Sequence, residues 1–353
     1  MIFKSSTPKQ NTPKCCEKSN KKDYIFITLL ITISLFYIYS YFFNDIINIP
    51  YINKISLEIF NLINIMWYGI LIGILMISIL SKIPKEFISS LLGTNSGIKG
   101  ILRATIAGVL LDLCSHGILM IGAKFYQKGA SIGQVMAFLI ASPWNSFSLT
   151  IILISLIGLF YTLLFIVLSM IIAIITGIIF DKLVQKNILP SNNNQIILDK
   201  NFNFKTEAKK SIKNIDYNII FFKTMLINGL KDSKIVIKWL LIGVIIASLI
   251  KTFISTQYFS NYLGPTIIGL IITMFFATIL EICSEGSAPI GADILNRAKA
   301  PGNSFAFLMG GVSTDYTEIA ILKNTTKSLK IALFLPLITL PQIILLGYII
   351  NII

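Results

Sequence analysis

The sequence is short of most of what a soluble enzyme uses. It holds one histidine, four cysteines, three tryptophans and 16 acidic residues among 353. Only 13% of its residues are charged. Two cysteines are adjacent (Cys15, Cys16) and two lie in apolar segments (Cys114, Cys283), a pattern that excludes a disulfide scaffold. No GxxxxGK(S/T) segment is present, so the chain does not energise itself with ATP. No HExxH or GxSxG motif supports an intramembrane hydrolase. Neither enzymatic activity nor a cofactor is expected.

What the chain has is apolar length. It is 55% hydrophobic with a mean hydropathy of +0.79, more apolar surface than one soluble core of this size can hide. Runs of about 20 apolar residues match the hydrocarbon thickness of a bilayer. They fall at 24–43, 61–81, 101–123, 133–157, 158–180, 233–254, 263–283, 303–322 and 329–352. The net charge of +14 sits between these runs and in the first 23 residues. That placement is an orientation signal for a membrane protein rather than a nucleic-acid footprint, so nucleic acid is excluded as a partner. The expected partners are the lipid bilayer and a small-molecule or ion substrate, and a homo-oligomer is compatible with the chain.

Residues 24–43 are too long for a signal-peptide core and lack a small-residue cleavage site. They are expected to form a first transmembrane helix with the N-terminus cytoplasmic and Lys21 and Lys22 at the inner face. The expected division is a basic cytoplasmic tail (1–23), the first helix with its connecting loop (24–60), a first membrane repeat (61–180), a basic cytoplasmic loop (181–232) and a second repeat (233–353). A short amphipathic helix near 206–230 is compatible with that loop.

The chain repeats itself. Asp112-Leu-Cys-Ser-His-Gly117 aligns with Glu281-Ile-Cys-Ser-Glu-Gly286. Without a gap, Ile121-Gly-Ala123 falls over Ile290-Gly-Ala292, Lys128 over Arg297, Gly133 over Gly302 and Ala137-Phe-Leu139 over Ala306-Phe-Leu308. Internal repeats in a membrane protein point to a transporter with a site at the repeat interface. The loop 82–103 carries Lys82, Lys85, Lys99 and Arg103, whereas its counterpart 255–263 is uncharged. With the basic central loop and Lys323 to Lys330 also inside, all placements agree if 101–130 and 263–300 are re-entrant hairpins. The expected fold is therefore all-α and polytopic, with two homologous halves as inverted repeats and broken or re-entrant motif helices.

Ionisable residues inside a membrane are costly and mark cavities and ion paths. Here they are Asp112, His116 and Lys124 in the first half, and Glu281, Glu285, Asp293, Asp315 and Glu318 in the second. Thiols are soft ligands for Cu(I), Zn(II) or trivalent arsenic, which makes Cys114 and Cys283 metal or metalloid candidates. The same two residues also suit small, soft packing between helices. Asp112, Glu281, Asp293 and Glu318 are the proton-coupling candidates, since a desolvated carboxylate can titrate near neutral pH. The substrate path is expected along Cys114, Ser115, His116, Cys283, Ser284, Glu285, Asn145, Asn303 and Asp315. Cys15 and Cys16 read equally as a soft-metal pair or as ordinary tail residues.

Asp112-x-Cys-Ser-His-Gly117, Gly129-Ala-Ser131 and Ala141-Ser-Pro-Trp-Asn-Ser146 resemble the first half of the bacterial predicted-permease family that includes the organoarsenical efflux permeases. Cys283-Ser-Glu-Gly286, Pro289-Ile-Gly-Ala-Asp293, Ala300-Pro-Gly-Asn-Ser-Phe-Ala-Phe307 and Thr314-Asp-Tyr-Thr-Glu318 resemble its second half more closely. The resemblance runs from about residue 55 to the C-terminus. It implies a permease of the inner (cytoplasmic) membrane, with efflux of trivalent organoarsenicals or soft metal ions among the activities of some members. Met120 departs from the pattern: the second half has Pro289 at the matching position, and proline is expected there in relatives.

Overall fold

The computed structural model describes residues 24–42, 49–80, 97–110, 115–127, 129–142, 147–192, 219–280 and 284–352. Among the described residues every regular element is a helix. Helix α1 (Tyr24–Phe42) folds back on α2 (Pro50–Leu80), joined by Tyr37 Oη donating to Asn64 Oδ1 at 2.9 Å and Tyr39 Oη to Asn53 Oδ1 at 2.8 Å. Three short helices follow, α3 (Ile98–Leu110), α4 (Ser115–Gln127) and α5 (Ile132–Ala141), and then the long α6 (Phe147–Gln185). The second half comprises α7 (Ile219–Phe253), α8 (Thr256–Leu263), α9 (Ile267–Leu280), α10 (Ser284–Ala298), α11 (Pro301–Thr314), α12 (Tyr316–Thr326) and α13 (Leu329–Ile352). Helix α1, residues Leu149–Gln185 of α6, and α13 are long and apolar enough to cross a bilayer. Ile237–Phe253 with Thr256–Leu263 adds a fourth segment, bent by 108°. The chain is a multi-pass helical membrane protein.

One apolar run that reads as a single span is broken in two. The run 303–322 divides between α11 and α12 at Asp315, while the runs 101–123 and 263–283 reach into 111–114 and 281–283, which lie outside the described residues. Local chemistry accounts for the starts. Ser131 caps α5, its hydroxyl accepting from Gln134 N at 3.1 Å while Gln134 Oε1 accepts from Ser131 N at 2.9 Å. Pro301 occupies the first turn of α11, where its missing N–H costs nothing. In α6 the helix bends at Gly158, whose φ of 83° suits glycine. This is the boundary that the apolar runs 133–157 and 158–180 anticipate. Conversely, α7 starts at Ile219, inside the stretch read as a basic loop, and α2 starts at Pro50, ahead of the apolar run at 61. Both helices extend past their apolar cores with polar turns that hydropathy does not register.

Helix starts recur at a fixed offset along the chain. Helices α3, α4 and α5 start at 98, 115 and 132, and α9, α10 and α11 start at 267, 284 and 301, each 169 positions later. The close contacts recur at nearly the same spacing, with Gly177 and Gly347, and Asp181 and Asn351, offset by 170 rather than 169. A side chain on Gly133 would overlap the carbonyl of Gly177, and one on Gly302 that of Gly347. Gly177 faces Ile101 and Ala137, and Gly347 faces Leu270 and Ala306. Gly122 seats Leu139 as Gly291 seats Leu308. One turn beyond the glycines, Gly133 N donates to Asp181 Oδ1 at 2.9 Å and Gly302 N to Asn351 Oδ1 at 2.8 Å. Gly158 (φ 83°) and Lys327 (φ 54°), again 169 apart, both turn the chain through positive φ.

Polar contacts gather the helix ends at two levels. Asn192 Nδ2 donates to Tyr126 O at 2.7 Å and Ala130 O at 2.8 Å, while Ser131 Oγ donates to Asp181 Oδ2 at 3.2 Å. The end of α4, the start of α5 and the end of α6 therefore lie together, with Ile101 of α3 beside them. In the second half, Asn303 Nδ2 donates to Leu263 O at 2.9 Å and Gly264 O at 2.7 Å, and Arg297 donates to Ile254 O. The end of α7, the start of α9, the end of α10 and the start of α11 share one level, so α9 and α10 form a hairpin with its open end there. Four charges clamp that level. Lys251 Nζ lies 3.0 Å from Glu58 Oε2 and 3.8 Å from Asp293 Oδ1, and Arg297 Nη1 lies 2.9 Å from Asp293 Oδ2. Lys54 Nζ also donates to Thr252 O at 3.3 Å. The start of α2 thus meets the end of α7, and these two long helices run antiparallel.

Gly133→Ala and Gly302→Ala should each lower the unfolding temperature in detergent by a similar amount, corresponding to about 1–3 kcal/mol of overpacking; a silent substitution at either site would reject the close approach there. Asp293→Ala leaves Arg297, whose side chain is 13% exposed, without its carboxylate and should cost about 3–5 kcal/mol. Glu58→Ala removes a half-exposed partner and should cost less than about 1 kcal/mol by the same thermal measurement.

Candidate functional site

The Cys-Ser-x-Gly motifs open two helices. Ser115, His116 and Gly117 form the first turn of α4, and Ser284, Glu285 and Gly286 the first turn of α10. Asp112, Cys114, Asn145, Glu281 and Cys283 lie outside the described residues. The motif glycine has a definite packing role in the second half: a side chain on Gly243 would overlap the backbone of Gly286. Gly243 is ten residues from the end of α7. At about 1.5 Å per residue, the first turn of α10 is therefore held ~15 Å along α7 from its end, while the end of α10 is clamped at the level of the four charges.

The second break sits beside the first. Thr278, in the last turn of α9, and Thr314, at the end of α11, bring their hydroxyls to 3.2 Å. Asp315 follows as the residue between α11 and α12, half-buried, and Glu318 is buried in the first turn of α12. In the first half, Ser142 at the end of α5 donates to Gly108 O of α3 at 3.1 Å. The halves then exchange partners. Helix α4 packs on α12, and α10 packs on α6, where Asn296 Nδ2 donates to Leu156 O at 3.3 Å. Each motif helix rests on the segment that follows the other half's break. Helix N-termini carry the positive end of the peptide dipole, so the starts of α4, α10 and α12 bring partial positive charge to these breaks without a buried cation.

Other sequence candidates have definite partners. Asn303 is fully buried. Its amide holds Leu263 O and Gly264 O, and its Oδ1 accepts from Asn351 Nδ2 at 2.7 Å, so it staples α11 to the α8–α9 turn. Asp293 belongs to the four-charge clamp, with its Oδ1 buried and not hydrogen-bonded. Among the described residues no group of three or more His, Cys, Asp or Glu side chains could hold a metal ion. Sequence reading did not single out Glu58, Lys251, Asp181, Asn351 or Gly243. Their signals are long-range pairings, among them Gly243 with Gly286, 43 positions apart, and Glu58 with Lys251, 193 apart, which no local pattern displays.

The comparisons agree with a transport architecture. A family model described as "Predicted permease" matches residues 52–352. A protein of Streptococcus mutans serotype c named "Putative two-component membrane permease complex subunit" is 25% identical over 232 residues, covering 65% of this chain and 72% of its own. A UPF0718 protein of Methanocaldococcus jannaschii is 26% identical over 323 residues, covering 78% of this chain and 88% of its own. No solved structure matches the chain at a significant level. With a family match over nearly the whole helical bundle, the chain belongs to the ArsP_1 family of predicted permeases.

Proposed function

We propose that this permease exports a thiophilic metalloid or metal species, with trivalent organoarsenicals as the first class to test. The observation that carries the reading is the pair of Cys-Ser-x-Gly segments, each leading into a short helix, the second of which packs its first turn against Gly243 of α7. A neutral trivalent arsenical carrying hydroxyls can exchange one for a thiol: the S–As bond forms, an As–O bond breaks, and hydroxyl and thiol proton leave as water. Cys114 and Cys283 would take the substrate in turn. Ser115, His116, Ser284, Glu285, Asn145 and Asp315 would line the path, and Asn303 would fix the turn beside it. Asp112, Glu281 and Glu318 are the carriers for a coupled proton, and Asp293 would act through the charged clamp.

The same reading treats the halves as an inverted duplication. It draws support from the shared 169-residue register, the exchanged packing of motif helices and the antiparallel run of α2 and α7. Hairpin α3–α4 would enter from the side of the basic 181–192 segment, and α9–α10 from the side of the 255–264 turn. Alternating access then follows from rocking one half against the other around a fixed centre. A second reading has one specific support: the Streptococcus relative is named as a subunit of a two-component complex. This chain would then transport only together with a partner protein.

Expression in an arsenic-hypersensitive bacterium should raise tolerance to methylarsenite, and Cys114→Ala or Cys283→Ala should return it to the vector level. If the chain confers no tolerance to any arsenical or soft metal, the substrate class is wrong. In a background lacking Cys15 and Cys16, a reporter cysteine placed in 193–218 should react with an impermeant maleimide in everted vesicles only. Reaction in intact cells would reject the inverted arrangement.

A further inference from the structure

A cavity of about 560 Å³ opens between α7, α8, α9 and α10. Its floor is buried and apolar, built from Ile290, Ile294 and Phe307. Its rim is exposed, formed by Tyr258 and Tyr262 of α8 and Phe276 of α9. Below the two rim tyrosines, the one hydroxyl in the lining, on Thr273, donates to Gly269 O at 2.7 Å within its own helix. No polar partner remains for water, which needs two or more to occupy a buried site. An empty space of this size would forfeit dispersion contacts over its whole wall. The occupant is therefore apolar.

We propose that this cleft binds the acyl chain of a membrane phospholipid. The bilayer supplies that ligand at the rim: Ile268, Ile271, Phe275 and Ile279 form an exposed apolar face of α9 alongside it. The tyrosines of α8, which bends 108° away from α7, mark the level of the headgroups. The cleft descends from Tyr262 to Leu280, the residue before Glu281, so a chain seated in it lies along the hairpin that carries the second motif. Headgroup sign is not selected. Arg297, 4.6 Å above the Phe259 ring, is already committed to Asp293 and to Ile254 O. The inference rests on the multi-pass membrane fold and is independent of the transported substrate.

Native mass spectrometry of the purified full chain in mild detergent, with added diacyl phosphatidylethanolamine or phosphatidylglycerol of equal chain length, tests it. The unaltered chain should retain one phospholipid, equally for both headgroups. Ile294→Trp fills the floor and Ile250→Trp narrows the side wall; each should reduce retention about tenfold, the equivalent of roughly two methylenes withdrawn from contact. Leu345→Trp, on the exposed face of α13, should leave it unchanged. Ile250 is only half-buried, so its variant keeps the test informative if Ile294→Trp does not fold. No retained lipid in the unaltered chain, or retention unchanged in a folded filling variant, overturns the proposal. A strong preference for one headgroup, or a filling variant that changes the oligomeric mass while keeping its lipid, does so as well.

Discussion

Helices in a bilayer gain little from apolar contact with one another, because lipid tails offer the same contact. Association depends instead on how closely backbones approach. In this chain the approach is made at glycines: Gly133 with Gly177, Gly302 with Gly347, and Gly243 with Gly286. The first two pairs do more than pack. Each brings a helix start within reach of a side chain one turn further along its neighbour, Asp181 four residues after Gly177 and Asn351 four residues after Gly347. Residues four apart share a helix face, so the glycine contact and the polar cap are two readings of one interface. With a side chain at either glycine the cap could not reach the N–H it satisfies.

That constraint makes the breaks tolerable. Every helix end inside a bilayer leaves backbone groups that only the protein can satisfy. Short helices of 10 to 15 residues multiply such ends. Here side chains meet many of them: Ser131 and Gln134 at the start of α5, Asn303 across the α8–α9 turn, Ser142 on Gly108. Once the ends are covered, the chain can place polar helix starts inside the bundle, which an unbroken helix cannot do. The third glycine pair then sets the position of the motif along α7. Gly286 belongs to the Cys-Ser-x-Gly signature, and its lack of a side chain lets α7 meet the first turn of α10.

Much of this was legible in the sequence, for physical reasons. Hydropathy marks apolar length, so α1, the later part of α6 and α13 were visible, as was the bend at Gly158. Cysteine, serine and glycine at matched offsets marked the two motif helices, because those residue types are not ordinary filler of an apolar helix. Polar helix length was only partly visible: α7 begins at Ile219, inside the 206–230 stretch compatible with an amphipathic helix, and α2 begins eleven residues ahead of its apolar run. Nor were the long-range pairs. Asn303 looked like a path residue because it is polar in an apolar run; its three bonds to Leu263, Gly264 and Asn351 depend on where distant backbone atoms fall. The apolar cleft was hidden for the opposite reason, since its lining residues are the common currency of every membrane helix.

Charge illustrates the limit most clearly. Reading positive residues as orientation signals treats each as free. Lys251 and Arg297 are not free: Glu58 and Asp293 neutralise them within one cluster. Under the inverted arrangement this cluster lies at the outer level, beside the uncharged 255–263 segment. The paired cations there add no net charge of their own to that level, so a count that includes Lys251 and Arg297 overstates their weight as orientation signals. The desolvation of a buried pair is offset only when both partners are present and well placed. A residue such as Arg297 is thus better understood as half of an interaction joining α2, α7 and α10 than as a positive charge in a loop count.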